Sequence, residues 1–526
     1  MVQTAENDRR IVMKEIFKKA LAGILALLVL TAVTGCNNAK TGTSSDKLTY
    51  WVELNSNAAT TVSNYGDTPF AKELQKRIGV EIDYQHPPQG QAAEKFNIMI
   101  AMDNLPDIIE YHWADYPGGP GKAISAGLIR DISKELDKAP NFKKYLDEHP
   151  EIAKWVKTDN GEIFGFPFIR GDESLQVSAG LMLRKDWLDE LGLDVPETID
   201  EWEKVLTAFK EKKGASAPLI IQPYQFGWGA FCGAFGVMQG TYIDDGKIVC
   251  GSVEPGFKEF LTTMNRWYQM GLLDNNIAAV SSKTVDSNIL NGLSGATAGS
   301  IGSGIGRWMQ SAKEPDFELV AAPYPTLKKG DYPEYGQAQS PVAYGFVAIS
   351  KSCKNVDLAY KLLDYGYSDE GHMLFNFGIE GESYTMQDGE PIYTDLITKN
   401  PDGLSMTAAM SLYMQSYDTG AFVQDKRYMD QYATLPQQKQ AWEIWGKTNA
   451  REHIIPFLYM DESEANEIAK LQTSVNTYQS EMLLKFIMGI EPIENYDSYV
   501  QEMNNRGLSK ILDAQQRAYE RYLKRK

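Results

Sequence analysis

Cysteine and histidine are scarce in this chain. Its 526 residues include four cysteines and five histidines. His86, His112, His149, His372 and His453 show no paired spacing with cysteines or carboxylates, so no metal site is expected. Cys36 is set apart by its place after an apolar run, which leaves Cys232, Cys250 and Cys353. A Cys232–Cys250 disulfide across a Gly-rich segment and two free thiols both remain open, with Cys353 a small buried hydrophobe. Positive charge is also short, with 52 Lys and Arg against 70 Asp and Glu and a formal net charge of −18. Nucleic acid is bound by a positive field, so it is excluded as a partner. Long apolar runs are missing too. Residues 20–33 are apolar but fall short of the roughly 20 residues needed to span a bilayer, and no other run approaches that length. Neither Gly-x-Ser-x-Gly nor His-Glu-x-x-His occurs.

The short apolar run has a context of its own. It follows Lys14, Lys18 and Lys19 and ends in Val33-Thr34-Gly35-Cys36. A basic segment, a short apolar segment and small residues before a cut describe a secretory signal rather than an anchor. The last four residues resemble the bacterial lipobox, which implies that Cys36 is lipidated and becomes the mature N-terminus. Met13 reads as the start of that signal. Residues 37–46, NNAKTGTSSD, form a polar tether of small residues. Acyl chains on Cys36 would then be the only membrane link, holding the protein on the extracytoplasmic face.

A length of 526 residues exceeds what one hydrophobic core usually covers, so two or more lobes are expected. Residues 48–52 read as a strand, 69–78 as a helix with Phe70, Leu74 and Ile78 on its apolar face, and 79–84 as the next strand. A helix over 96–102 and a strand over 105–111 follow, opening into the Gly/Pro loop 116–121. This βαβαβ rhythm implies a mainly parallel sheet, with ligands at the carboxyl ends of its strands. The loops 53–57 and 110–116 are the places to look.

Several motifs, in order, resemble one family. The strand end Leu48-Thr49-Tyr50-Trp51, the strand Leu105-Pro106-Asp107-Ile108-Ile109 with its aromatic loop, and Gly161-Glu162-Ile163-Phe164-Gly165-Phe166-Pro167 are three of them. Residues 183–193 (LRKDWLDELGL), Pro196-Glu197-Thr198 with Glu201-Trp202, 377–385 (FGIEGESYT) and the helical tail 515–522 extend the likeness over essentially the whole mature chain. Together they resemble the large extracellular solute-binding lipoproteins of bacterial ABC importers, relatives of the maltodextrin- and alginate-binding proteins. That resemblance implies an α/β, two-lobed periplasmic-binding-protein-like fold with three inter-lobe crossings and a helical C-terminal tail. The expected organisation is a signal peptide over 1–35, a tether over 36–47, lobe one over 48–168 and 343–385, and lobe two over 169–342 and 386–526. Crossings fall near 166–179, 325–343 and 380–394. Many large relatives carry an acidic calcium loop where this chain has residues 211–218 with a single carboxylate, so no calcium is expected there.

The implied function is capture of a carbohydrate, an oligosaccharide, and its delivery to the permease subunits of an ABC transporter by hinge closure, as a monomer, with no cofactor and no catalysis. Two alternatives stay open: a secreted glycoside hydrolase, and a surface binder of peptide or another non-sugar solute. Flat aromatic faces cover sugar rings and planar polar groups bond their hydroxyls. Trp51 and Asn55 follow the first strand, and Glu110, Tyr111 and Trp113 end another. Arg184, Tyr224, Trp228 and Gly304 are the candidates in lobe two, and Glu382 lies in the 377–385 motif. Trp187 and Trp202 sit at helical spacing and read as core. Trp228, in a Gly-rich loop, reads equally as ligand contact or core, and Glu110 and Arg184 as ligand contacts or as an ion pair. Gly302, Gly304 and Gly306 lack the spacing of a dinucleotide fingerprint and read as a strand-end turn lining the cleft, with Arg307 and Trp308 opening the next helix.

Overall fold

The computed structural model describes residues 47–415, 419–460 and 462–525. Cys36, with the signal segment, lies outside the described residues. In chain order the strands are β1 (Lys47–Trp51), β2 (Glu81–Gln85), β3 (Ile108–Tyr111) and β4 (Phe166–Arg170), then β5 (Ala179–Arg184) and β6 (Leu219–Ile220). The hairpin of β7 (Thr241–Asp244) and β8 (Lys247–Cys250) precedes β9 (Ala296–Ser300) and β10 (Leu319–Ala321). The long strand β11 (Val342–Ile349) is followed by the hairpin of β12 (Tyr384–Gln387) and β13 (Glu390–Tyr393), and then by β14 (Phe422–Gln424).

These strands build two main sheets. A six-stranded sheet has the order β14-β4-β11-β3-β1-β2, and a four-stranded one the order β10-β5-β9-β6. In the first, β1 is parallel to both β2 and β3, while β11 is antiparallel to β3 and β4. In the second, β6 and β9 are parallel and β5 runs against β9. Each sheet has its own core. Leu48, Phe70, Phe96, Ile109, Phe166 and Val347 belong to the first, and Trp202, Phe209, Trp267, Phe486 and Tyr499 to the second.

Local chemistry accounts for the first elements. The helix Pro69–Ile78 starts because the Thr68 hydroxyl accepts from the Ala71 amide at 3.1 Å and Pro69 presets the first turn. It ends at Gly79, whose φ of 66° is left-handed. Phe70, Leu74 and Ile78 recur every fourth residue, so one stripe is buried.

The chain passes from the first sheet to the second through residues 171–178 and returns through 322–341. These connections are tied to each other: the Gln337 side-chain oxygen accepts from the amides of Ser178 and Ala179 (2.8 and 3.2 Å), and the Gln339 amide donates to Gln176 O at 2.8 Å. Residues 380–394, expected to carry a crossing, instead hold the hairpin β12–β13, packed with Phe377, Ile397 and Met410. The stretch 386–526, expected wholly in lobe two, also contributes β14 to the first sheet, parallel to β4. After Gln424 the chain reaches the helix Pro436–Trp445, where Trp445 Nε1 donates to Leu181 O and Ala322 O, both at 3.1 Å. A three-residue strand carries no periodicity of its own, so its sheet is chosen by tertiary pairing. Cys232, Cys250 and Cys353 are free and buried, so the Cys232–Cys250 pairing does not form.

Candidate functional site

In the first sheet β1 leads to β2 on one side and β2 leads across to β3 on the other, so the strand order reverses between β1 and β3. Ligands of open α/β sheets bind at the carboxyl ends of strands at such a point. A cavity of about 410 Å³ sits there, lined by Trp51, Asn55, Gln89, Glu110, Tyr111 and His112 among others. Its aromatic wall is held from behind: Tyr111 stacks on Phe96 at 3.7 Å and meets Trp51 edge-on at 6.1 Å. Asn55 is buried and its side-chain oxygen accepts from the Asn57 amide at 2.7 Å, which fixes the loop after β1. Glu110 accepts from the Tyr50 hydroxyl at 2.7 Å. Burial pushes its carboxyl above the ordinary glutamate range, and the hydrogen bonds of Tyr50 and Thr419 only partly offset this.

The second sheet repeats the logic at the carboxyl ends of β6 and β9. One cavity, of about 110 Å³, is lined by Gln222, Tyr224, Trp228, Gly304, Arg307 and Trp308 among others. Another, of about 300 Å³, is lined by Arg170, Ser178, Gln424, Tyr428, Tyr432 and Trp442 among others. Ser300 and Ser303 line both, so the two adjoin at the turn after β9. The second of these also joins the sheets, because Arg170 and Gln424 end strands of the first sheet while Ser178 and Ser300 flank strands of the other. Tyr224 is 59% exposed and meets Trp228 edge-on at 5.6 Å.

The turn expected after β9, Ile301–Gly306, is π-helical, and Arg307 and Trp308 open the next helix, Arg307–Ser311, as the sequence suggested. Such turns recur at functional sites. A Cβ on Gly302 would overlap the Tyr432 hydroxyl, so glycine lets the helix Arg427–Tyr432 close on the turn. Arg307 forks onto Asp286 with contacts of 2.9 and 2.5 Å, and Trp308 Nε1 donates to the same carboxylate at 2.8 Å.

Seven of the ten residues singled out as ligand contacts line these cavities: Trp51, Asn55, Glu110, Tyr111, Tyr224, Trp228 and Gly304. Three stand elsewhere. Trp113, on the short helical turn after β3, is 0% exposed and packs in the first core, edge-on to Phe96 and Tyr111. Arg184 has a side chain 1% exposed, bonded to Asp186 and Glu314 and lying over Trp187 and Phe317. It ends the inner strand β5, which runs antiparallel to β9, and so it sits at the opposite end of the strands from Ser300. Glu110 and Arg184 therefore belong to different sheets and form no pair with each other. Glu382 is exposed in the turn before β12 and lines none of these cavities. Tyr428, Tyr432 and Trp442 were missed. The four-residue spacing of the two tyrosines reads in sequence only as one face of a helix.

The family model of bacterial extracellular solute-binding proteins matches residues 58–373. The lipoprotein LipO of Bacillus subtilis is 26% identical over 73% of this chain and 76% of its own length. The fructooligosaccharide ABC transporter substrate-binding protein FusA of Streptococcus pneumoniae is 24% identical over 86% of each chain. The solved structure of the alginate-binding protein AlgQ2 without calcium ion superposes with a TM-score of 0.71 at 24% identity, covering 90% of this chain and 98% of that one. That likeness bears on the fold, which is two-lobed and mixed α/β.

Proposed function

The chain belongs to the bacterial extracellular solute-binding proteins, and from that premise we propose that it captures an oligosaccharide and delivers it to an ABC transporter permease by closing about its inter-sheet connections. The observation that carries this reading is the pairing of aromatic, amide-rich cavities at the carboxyl strand ends of both sheets, Trp51, Tyr111 and Gln89 in one, Tyr224, Trp228 and Gln222 in the other. Two of the cavities, about 410 and 300 Å³, fall in the range of roughly 300–1,000 Å³ for small-molecule sites. A relative's stated ligand, fructooligosaccharide, supports the sugar reading. Binding rather than turnover is the role, since capture needs only differential affinity for the closed state. Acylation of Cys36 holds the protein at the outer membrane surface, an assignment supported by the lipobox-like Val33-Thr34-Gly35-Cys36 and by a relative named as a lipoprotein.

The test is a thermal-shift screen against oligosaccharides and peptides, with product analysis of each mixture. A ligand bound only by the folded state raises stability by RT ln(1 + [L]/Kd). A sugar should raise the melting temperature and be recovered intact. Release of shortened sugar at enzymic rates would make the protein a hydrolase, and stabilisation by peptides alone would make it a binder of another solute.

A further inference from the structure

The charge of the cavity walls narrows the ligand class. Among the described residues lining the cavities of the second sheet, the cations are Arg170 and Arg307 and the acid is Asp286. Three of the five N–H donors of Arg307 are engaged, two on that acid at 2.9 and 2.5 Å and the Nε on Ser303 O at 3.0 Å, so its charge is paired with the Asp286 carboxylate. Arg170 donates through Nη1 to Ser340 O at 2.8 Å and lies over the Phe168 ring at 5.4 Å, so it serves the connection between the sheets. In the cavity of the first sheet the lining acids are Glu53, Glu110 and Asp115, against His112, whose Nδ1 is 3.7 Å from Asp115. Among the described lining residues, four carboxyl groups, one of them paired with Arg307, thus face two guanidinium groups and one imidazole, in a chain of formal net charge −18.

We propose that the ligand is a neutral oligosaccharide and that chains bearing uronic acids are excluded. This rests on the sugar-binding reading above and goes beyond it by naming the class. A carboxylate entering these walls would shed its water and meet in Arg307 a guanidinium whose charge is already paired with Asp286, and like charge set against like charge is the usual device for rejecting a partner. Neutral hydroxyls meet the opposite situation: carboxylates and amides accept from them, and the rings of Trp228 and Tyr224 offer flat faces.

Titration calorimetry of the full chain at low ionic strength, where charge effects are least screened, tests this. One set of probes is fructo-, malto-, galacto-, manno- and xylo-oligosaccharides, and the other is oligogalacturonates and alginate fragments of matched length. At least one neutral probe should bind at least tenfold more tightly than every acidic one. An acidic probe binding as tightly as the best neutral one would overturn the neutral class while leaving the sugar-binding reading intact. Binding of neither set would overturn that reading and this inference together. In Asp286→Asn, which keeps an acceptor for Trp308 and releases Arg307 from its carboxylate, the gap between the two sets should narrow. An unchanged gap would overturn the electrostatic origin of the exclusion.

Discussion

Trp228 lies between two roles, since it lines the cavity with Tyr224 while part of its ring packs on the second core. Its replacement by alanine should weaken sugar binding by about 1–3 kcal/mol, the cost of losing a buried aromatic anchor. Calorimetry alongside melting separates the roles: unchanged affinity with a large drop in melting temperature would make it core. Glu110 makes a pH-dependent prediction. Burial raises its folded pKa above the unfolded value of about 4.3. A carboxyl so shifted contributes stability that is full below the unfolded pKa and is lost as pH rises through the folded one. Glu110→Gln retains an acceptor for the Tyr50 hydroxyl, so the melting temperature of the variant relative to the native chain should be higher at pH 7.5 than at pH 4. A difference independent of pH would show that the carboxyl does not titrate above its unfolded value.

At the scale of elements, the turn Ile301–Gly306 depends on a close approach that sequence spacing does not reveal. Gly302→Ala would drive a methyl group into the Tyr432 hydroxyl. Overpacking of this kind costs about 1–3 kcal/mol. The expected outcome is a lowered melting temperature together with weakened binding, because the displaced Tyr432 also lines the cavity beside Ser303. Native melting and affinity in the variant would mean that the helix Arg427–Tyr432 is free to shift. The helix Ile199–Lys213 behaves in the opposite way. Its start is written locally in a capping box, with the Thr198 hydroxyl accepting from the Glu201 amide at 3.2 Å and the Glu201 carboxylate accepting from the Thr198 amide, also at 3.2 Å.

For the whole molecule, the connections 171–178 and 322–341 lie side by side, joined by the Gln337 and Gln339 hydrogen bonds. Paired segments of this kind let two bodies rotate with little local unfolding, and a ligand contacting both favours the closed state. Small-angle scattering should show a smaller radius of gyration with saturating sugar than without, and an unchanged value would argue for a static binder. The anchor is tested in a bacterium that processes lipoproteins. Cys36→Ser should take up no labelled fatty acid, and label retained by that variant would overturn the assignment of Cys36.

Motif resemblance in the sequence was enough to read the family, and pattern was enough to read the βαβ opening, the helix Pro69–Ile78 with its stripe of Phe70, Leu74 and Ile78, and most of the strand-end residues around the cavities. Those features repeat over a few residues or follow directly from a turn or a parallel strand's carboxyl end. Tertiary structure decided the rest. The direction of β5 took Arg184 to the end of its strand away from Ser300, Trp113 was buried in the first core on a helical turn after β3, and the three residues of β14 joined a strand more than 250 positions earlier in the chain. Tyr428, Tyr432 and Trp442 became cavity walls only when the helices bearing them packed against the turn after β9. Each of these depends on strand polarity or on pairing between distant segments, and neither quantity leaves a period in the sequence.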